Sequence, residues 1–195
     1  MNGTLTLSDV AKAATSRSPA ERSGLLKKAD LDPKSKLLVA RALCSDPDWT
    51  IRDDCAEVLY YLGNRADLFR LKTLIKDPQW IVRCTAAVSY AKIGGASALP
   101  FLSKAHRSEP DPNVRMLIGS GLEDIGSAAI PTLREFALRD ESIQGKVGAL
   151  CALGKLGEPD AADRMRLLLD PNSDDIIQDV IAGWLKELDD LPTSK

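Results

Sequence analysis

The sequence has few aromatic residues and a single histidine, and both shortages narrow what the protein can be. Phe, Trp and Tyr make up 5% of the 195 residues, whereas sheet-forming sequences favour aromatic and β-branched side chains. The lone His106 excludes any metal site built from several histidines. The 26 basic residues nearly balance the 28 acidic ones, so the chain lacks the strong positive charge of a general nucleic-acid binder.

Paired cysteine motifs and long apolar runs are also missing, and no leader sequence is expected. Cys44, Cys55, Cys84 and Cys151 form no CxxC pair, so we expect reduced thiols within helix packing rather than a zinc site. The first residues lack a basic flank and a continuous apolar run, which predicts no signal peptide. No stretch reaches the roughly 18 apolar residues of a membrane helix. We expect a cytoplasmic protein with no cofactor, no metal, no membrane and no nucleic-acid partner.

Leucine and alanine are abundant where these other types are scarce. The chain contains 28 Leu and 23 Ala, and both residues are strong helix formers. Hydrophobic residues at 44% and charged residues at 28% are ordinary for a folded globular domain. The composition predicts an all-α protein whose many small residues allow helices to pack closely.

A motif recurs along the chain about every thirty residues. Turns containing Asp-Pro are followed by Ile or Val and then Arg, and a glycine comes eleven residues after each arginine. The glycines are separated by 31, 32 and 31 residues. The arginines are Arg52, Arg83 and Arg115, and the glycines are Gly63, Gly94, Gly126 and Gly157. Each glycine follows Leu or Ile and is expected in the left-handed conformation that ends a helix. Lys146 and Gln178 continue the series in weakened form.

Each repeat contains a shorter and a longer amphipathic segment, which predicts a pair of helices. A second column recurs in the shorter segments at Phe69, Pro100, Pro131 and Ala162. The predicted helix pairs span 33–62, 66–94, 97–126, 128–157 and 159–189, with Ser97 and Ser127 as candidate N-caps. Residues 1–32 form a predicted N-terminal helical cap, with a weak helix at 7–15 and a better one at 19–29. The better helix begins with a Ser18-x-x-Glu21 capping box. Residues 33–195 are predicted to be one continuous array.

This pattern resembles the HEAT-repeat superfamily, particularly the short-repeat branch named after the phycobilisome lyases. The resemblance extends from about residue 33 to residue 189. It implies a right-handed α-solenoid of about five helix pairs, in which second helices line a concave face that binds partners. It also implies a structural ladder, in which Arg52, Arg83 and Arg115 reach acidic turn residues of neighbouring repeats.

Helical phase predicts which side chains face the groove. If Ile51, Cys55 and Leu59 pack inward, the opposite side of each second helix is exposed. The candidate groove residues are Asp53, Glu57, Tyr61, Cys84, Val88, Met116, Ser120, Val147 and Cys151. Acidic residues at one end and an apolar middle favour a partner with basic residues beside an apolar segment. The alternative is that the small apolar residues only pack between helices.

Two tryptophans directly after the turns form a candidate ridge. Trp49 and Trp80 are either exposed contact residues or lids over the core. His106, at the end of a predicted helix, is expected at the surface, where a cation suits the helix dipole.

The favoured function is a non-enzymatic scaffold or adaptor that holds a protein or peptide in its groove. The sequence contains no GxxxxGK[ST], GxGxxG, GxSxG or HExxH motif. One alternative is a lyase-like protein that handles a phycobilin, an open-chain tetrapyrrole, with Cys84 or Cys151 in the groove. A minor alternative is DNA-lesion binding, as in HEAT-like glycosylases, with the tryptophans as base contacts.

Overall fold

The computed structural model describes residues 8, 10–11, 15–16, 18–27, 32–170 and 175–190. Within these ranges every regular element is helical, and successive helices form pairs. The chain therefore has the all-α solenoid fold predicted from its repeats. It divides into two compact units, residues 1–94 and 95–195. Most of the weak helix predicted at 7–15 lies outside the described residues.

The first unit contains two helix pairs and a preceding helix. Helix α1 (Pro19–Lys27) contacts α2 (Pro33–Leu43) and α3 (Trp49–Leu62). Helix α4 (Leu68–Leu74) follows a short 3-10 turn at Arg65–Asp67, and α5 (Trp80–Gly94) packs on both α3 and α4. The predicted start of the cap helix and the predicted boundaries of the first two pairs agree with these elements, and residues 28–29 of the predicted cap helix lie outside the described residues.

The second unit contains three helix pairs. Its helices are α6 (Leu99–Ser108), α7 (Pro112–Gly121), α8 (Ile130–Arg139), α9 (Ile143–Lys155), α10 (Ala161–Arg166) and α11 (Asp175–Asp189). Segments of 3-10 helix precede α6 at Gly95–Ala98 and α8 at Leu122–Ala129. Helix α9 is the centre of this unit, because it packs against α7, α8, α10 and α11.

The core follows the predicted helical phase. Ile51, Cys55 and Leu59 on α3 are all 0% exposed, and burying a side chain such as Leu59 contributes about 2 kcal/mol. The small residues also allow close helix contact, as expected. A Cβ atom on Gly148 of α9 would overlap the backbone of Met116 on α7, and one on Gly119 would lie 3.0 Å from the Ala149 nitrogen.

Several helix starts among the described residues are capped by acidic or hydroxyl side chains. Asp32, Asp48, Asp111 and Ser142 accept hydrogen bonds from backbone amides at the starts of α2, α3, α7 and α9. The prediction that Ser97 and Ser127 are N-caps was wrong. Both lie inside 3-10 segments that run directly into α6 and α8, so these helices begin without a side-chain cap.

The capping box expected at the start of α1 is only half formed. The Glu21 amide donates to the Ser18 hydroxyl at 3.4 Å. The Glu21 carboxylate instead accepts from the Ser16 hydroxyl at 2.5 Å, and the Ser18 amide donates to that same hydroxyl at 3.1 Å. In a complete box the Ser18 amide would donate to the Glu21 carboxylate, and here the Ser16 hydroxyl is the donor instead.

The glycines after the second helices were expected to adopt left-handed conformations. Gly126 and Gly157 do so, with φ of 79° and 88°. The prediction was wrong for Gly63, whose φ is −70°. It was also wrong for Gly94, which is the last residue of α5, because the following Gly95 takes the positive φ of 55°.

The repeated arginines connect successive helix pairs. Arg52 donates to Asp77 through Nε at 2.6 Å and Nη2 at 2.8 Å, and Arg115 donates to Asp140 at 3.0 Å. These are contacts of the kind that the resemblance implies. Arg52, Arg83 and Arg115 also donate to backbone carbonyls five and six residues before them. Each arginine therefore holds its own turn closed.

The acidic member of this ladder lies six residues before each arginine. Asp46, Asp77 and Glu109 occupy this position, and each accepts a hydrogen bond from the amide two residues later. The predicted alignment placed Asp111 beside Asp46, which was wrong, because Asp111 is the N-cap of α7. A further rung was not predicted: Arg22 of α1 donates to the buried Asp46 at 2.6 Å and 2.9 Å.

Candidate functional site

Three predicted groove residues of the first unit share one side of α3. Asp53, Glu57 and Tyr61 follow one another at intervals of four residues. Glu57 is exposed, and the Tyr61 side chain is 69% exposed. Asp53 is half-buried, and burial raises the pKa of its carboxyl although a hydrogen bond with Thr85 opposes the shift. This side of α3 therefore presents an open tyrosine and an accessible carboxylate.

Neighbouring side chains orient the Tyr61 ring. The Tyr60 ring lies edge-on to it, with the ring centroids 5.0 Å apart. The Lys92 ammonium of α5 lies 3.6 Å from the Tyr60 centroid and 5.6 Å from the Tyr61 centroid. A cation over an aromatic face contributes about 0.5–1 kcal/mol at an exposed site. Tyr61 is thus exposed and also held in place.

A cleft of about 520 Å³ lies beside this tyrosine. Buried Leu26 and Val58 belong to its lining, and Lys27 of α1 forms an ion pair with Asp54 of α3 at 3.2 Å. Its volume is within the range of sites that enclose a small ligand or a few side chains. The lining residues are Leu26, Lys27, Pro33, Lys36, Asp54, Glu57, Val58, Tyr61 and Leu62.

Three of the predicted groove residues do not reach the surface. Cys84, Val147 and Cys151 are 5%, 0% and 1% exposed. For Val147 and Cys151 the reason is that α9 is enclosed by several helices, so no side of its middle turns faces solvent. These three residues follow the packing alternative, so they do not form the apolar middle that was predicted for the groove. Val88, Met116 and Ser120 are half-buried.

The burial of these thiols bears on the chromophore-handling alternative. Cys84 and Cys151 are both enclosed, and burial raises the pKa of Cys151 to about 12. The thiolate is the reactive form of cysteine. Neither thiol is therefore placed to meet a chromophore in a groove.

Comparison with known proteins agrees with the repeat geometry. A family model described as HEAT repeats matches residues 35–123 and again residues 100–184. The chain belongs to the HEAT-repeat family. A search of the curated proteins finds no match. HEAT repeats commonly act as protein-interaction scaffolds, so the exposed surfaces of these repeats are the places to look for function.

The predicted ridge is exposed in two consecutive HEAT repeats. Trp49 and Trp80 are the first residues of α3 and α5, and their side chains are 38% and 44% exposed. Neither indole is buried as it would be if it were a lid packed over the core. A role for this pair in partner binding stays a prediction.

His106 is a buried residue of the third HEAT repeat, so its predicted surface position was wrong. It is 3% exposed, and its ring stacks on Phe136 with centroids 3.6 Å apart. Its Nε2 lies 3.3 Å from the Asp140 carboxylate but makes no hydrogen bond. Burial lowers the pKa of His106 to about 4, with Asp140 opposing the shift and Arg115 adding to it.

A cleft of about 390 Å³ opens beside this histidine. It has three arginines and three carboxylates, several of them already paired with one another, such as Arg107 with Glu135 at 2.9 Å. The cleft therefore has no dominant charge with which to select a ligand. Its lining residues are His106, Arg107, Arg115, Glu135, Phe136, Arg139, Asp140 and Glu141.

The described part of the chain contains neither a membrane-spanning helix nor a cluster of metal-ligating side chains. None of the helices there is long and apolar enough to cross a membrane. Among the same residues, no group of three His, Cys, Asp or Glu side chains is arranged to hold a metal ion.

Proposed function

We infer that this HEAT-repeat protein is a scaffold or adaptor that binds a protein partner through the side of α3 that carries Asp53, Glu57 and Tyr61. We call this side the inner side of α3. The observation that carries this inference is the exposed Tyr61 at the edge of a cleft whose lining includes the buried apolar residues Leu26 and Val58. Tyrosine is a frequent anchor of protein interfaces, because it offers a large contact area together with a polar group.

The charge beside the cleft supports a particular kind of partner segment. Glu57 is exposed and forms no ion pair with any described residue, whereas Asp54 is already neutralised by Lys27. A basic side chain of the partner would pair with Glu57 while an adjacent apolar side chain enters the cleft over Val58. Electrostatic complementarity of this kind favours specificity and fast association.

Site-specific photo-crosslinking tests this function. Tyr61 is replaced by the photoreactive residue benzoylphenylalanine in the full chain, which is then irradiated in a lysate of its source cells. We expect a discrete cross-linked partner, because a partner in the cleft would contact position 61. Adding Glu57→Lys should reduce the yield of this product about fivefold or more, because it reverses the charge that the partner meets.

A matched control distinguishes specific binding at this site from nonspecific association. Glu141→Lys makes the same charge change at an exposed glutamate of the second unit and should leave the cross-link unchanged. If Glu57→Lys and Glu141→Lys give the same yield, or if position 61 gives no specific product, the inner side of α3 is not the binding surface.

A further inference from the structure

A stripe of exposed basic residues surrounds a phenylalanine on the outer helix of the second pair. Arg65, Phe69, Lys72 and Lys76 follow at intervals of three or four residues, so they share one side of α4 and its flanking turns. All four are exposed, and Phe69 is 62% exposed. We call these four residues the α4 stripe, which shares no residue with the cleft beside Tyr61.

The α4 stripe has no exposed acid nearby in the chain. Between residues 65 and 76 the one acidic residue is Asp67. It is 0% exposed, because it accepts hydrogen bonds from Arg41 at 2.8 Å and 2.9 Å and from Arg70 at 3.3 Å. Arg65 and Lys76 form no ion pair with any described residue. The exposed charge of this segment is therefore entirely positive.

Outer helices of the second unit use their cations differently. Arg107 pairs with Glu135 at 2.9 Å, and Arg134 pairs with Glu158 at 2.8 Å. Each of these contacts joins one helix pair to the next. Arg107 and Arg134 are therefore neutralised within the second unit, whereas Arg65 and Lys76 of the α4 stripe have no ion-pair partner among the described residues.

Phe69 is also unusual for its position. The corresponding residues of the next two outer helices are Pro100 and Pro131, both near the first turn of their helices. Proline suits that position because its missing N–H is not needed there. A large ring that is mostly exposed adds nothing to the core, so packing does not explain it.

The ring is nevertheless held in one orientation. The Arg70 guanidinium lies 4.4 Å from the Phe69 centroid, and Arg70 also donates to the Arg41 carbonyl at 3.3 Å. Together with the buried Asp67, these contacts connect α4 to α2. A prearranged surface loses less conformational entropy when it binds.

We propose that the α4 stripe is a second docking surface, which binds an acidic segment of a protein partner. Asp or Glu side chains of that segment pair with Arg65 and Lys76, and an apolar side chain packs on Phe69. The occupant is an acidic peptide rather than a nucleic acid, because three cations over about 16 Å contact few phosphates. The net charge of the chain, −2, also gives no general attraction for a polyanion.

Selection from a displayed library of random peptides of about twelve residues tests the proposal against the immobilised full chain. We expect the enriched peptides to combine several Asp or Glu residues with an aromatic or aliphatic residue. Their affinity, measured by fluorescence anisotropy, should fall about tenfold for Arg65→Glu/Lys76→Glu and about fivefold for Phe69→Ala. Lys104→Glu, at an exposed lysine of α6, is the matched control and should bind like the wild type.

Salt provides a second measurement that needs no variant. Raising NaCl from about 50 mM to about 300 mM should weaken binding of the acidic peptides to the wild-type chain several-fold. The proposal is overturned if no acidic peptides are enriched, or if the enriched ones bind Arg65→Glu/Lys76→Glu unchanged. It is also overturned if a single-stranded DNA 20-mer or phosphatidylserine vesicles bind the wild type through Arg65 and Lys76 more tightly than any selected peptide.

Discussion

His106 is a polar residue at a position where the preceding repeats have leucine. Leu43 and Leu74, three residues before Asp46 and Asp77, are both buried, and His106 has the same relation to Glu109. Its pKa falls from 6.5 to about 4 because burial disfavours the imidazolium. The unfolded chain therefore binds a proton between these two pH values while the folded chain does not.

This difference predicts that stability falls as the pH falls from 6.5 to about 4. The loss from His106 is about 3 kcal/mol at most, since one pKa unit corresponds to about 1.4 kcal/mol. His106→Leu should remove most of this dependence in urea melts at several pH values, because leucine does not titrate. An unchanged slope in the variant would mean that His106 does not cause the dependence.

Asp77 is a buried, well-connected acid of the ladder in the first unit. It accepts from both Nε and Nη2 of Arg52 and from the Gln79 amide, and its side chain is 6% exposed. Removing one partner of a buried pair leaves the other charge uncompensated, so Asp77→Ala should cost about 3 kcal/mol in urea unfolding at neutral pH. Asp163→Ala, which breaks the exposed pair with Arg166, is the control and should have little effect.

At the scale of whole helices, the contact between α7 and α9 depends on glycine. A side chain at Gly148 would overlap the Met116 carbonyl, and backbone atoms cannot move aside as a flexible side chain can. Gly148→Ala should therefore separate the two helices. The overpacking should lower the free energy of unfolding by about 3 kcal/mol or more, and with it the melting temperature. Circular dichroism melts measure the change.

Gly183 of α11 is the matched glycine for that experiment. No atom lies within 4 Å of a Cβ built there, and alanine favours helix over glycine by about 1 kcal/mol. Gly183→Ala should leave the melting temperature unchanged or raise it slightly. Equal destabilisation by both substitutions would mean that the α7–α9 contact does not limit stability.

Periodicity predicted the elements well, because each helix buries one side and exposes the other. On α3 the same rule identified Ile51 and Leu59 as core and left Glu57 and Tyr61 exposed. The rule failed on α9, where Val147 and Cys151 are buried, because neighbouring helices cover this helix on several sides. A single sequence shows which side of a helix is more apolar, but it does not show how many neighbours the helix has.

The ladder was harder to predict than the helices. Aligning the turns on Asp-Pro placed Asp111 in the ladder column, whereas counting six residues back from Arg115 identifies Glu109. That count would also have placed His106 among the buried leucines. The α4 stripe was missed because Phe69 was treated as one member of a repeating column. The exposure of the Phe69 ring became evident only from the folded structure, in which the side chain is 62% exposed.

At the scale of the whole molecule, buried carboxylates join helix pairs in both units. Burial alone would raise the pKa values of Asp67, Asp77 and Asp140. Hydrogen bonds and nearby cations, chiefly Arg41, Arg52, Ser142 and Arg115, outweigh this effect and hold all three pKa values below the usual range. A repeat array is stable only while its neighbouring repeats remain joined, so protonating these acids weakens the fold in both units.

The sign follows from the lowered pKa values. The unfolded carboxyls, with a pKa of about 3.9, take up protons before the folded ones do, so their contribution is complete above that pH and is lost below it. We therefore expect the urea midpoint of His106→Leu, which lacks the histidine effect, to be nearly constant from about pH 6 to 5 and to fall from about pH 4 to 3. A midpoint that stays constant down to about pH 3 would mean that these ion pairs contribute no net stability, since their desolvation would then cancel their attraction.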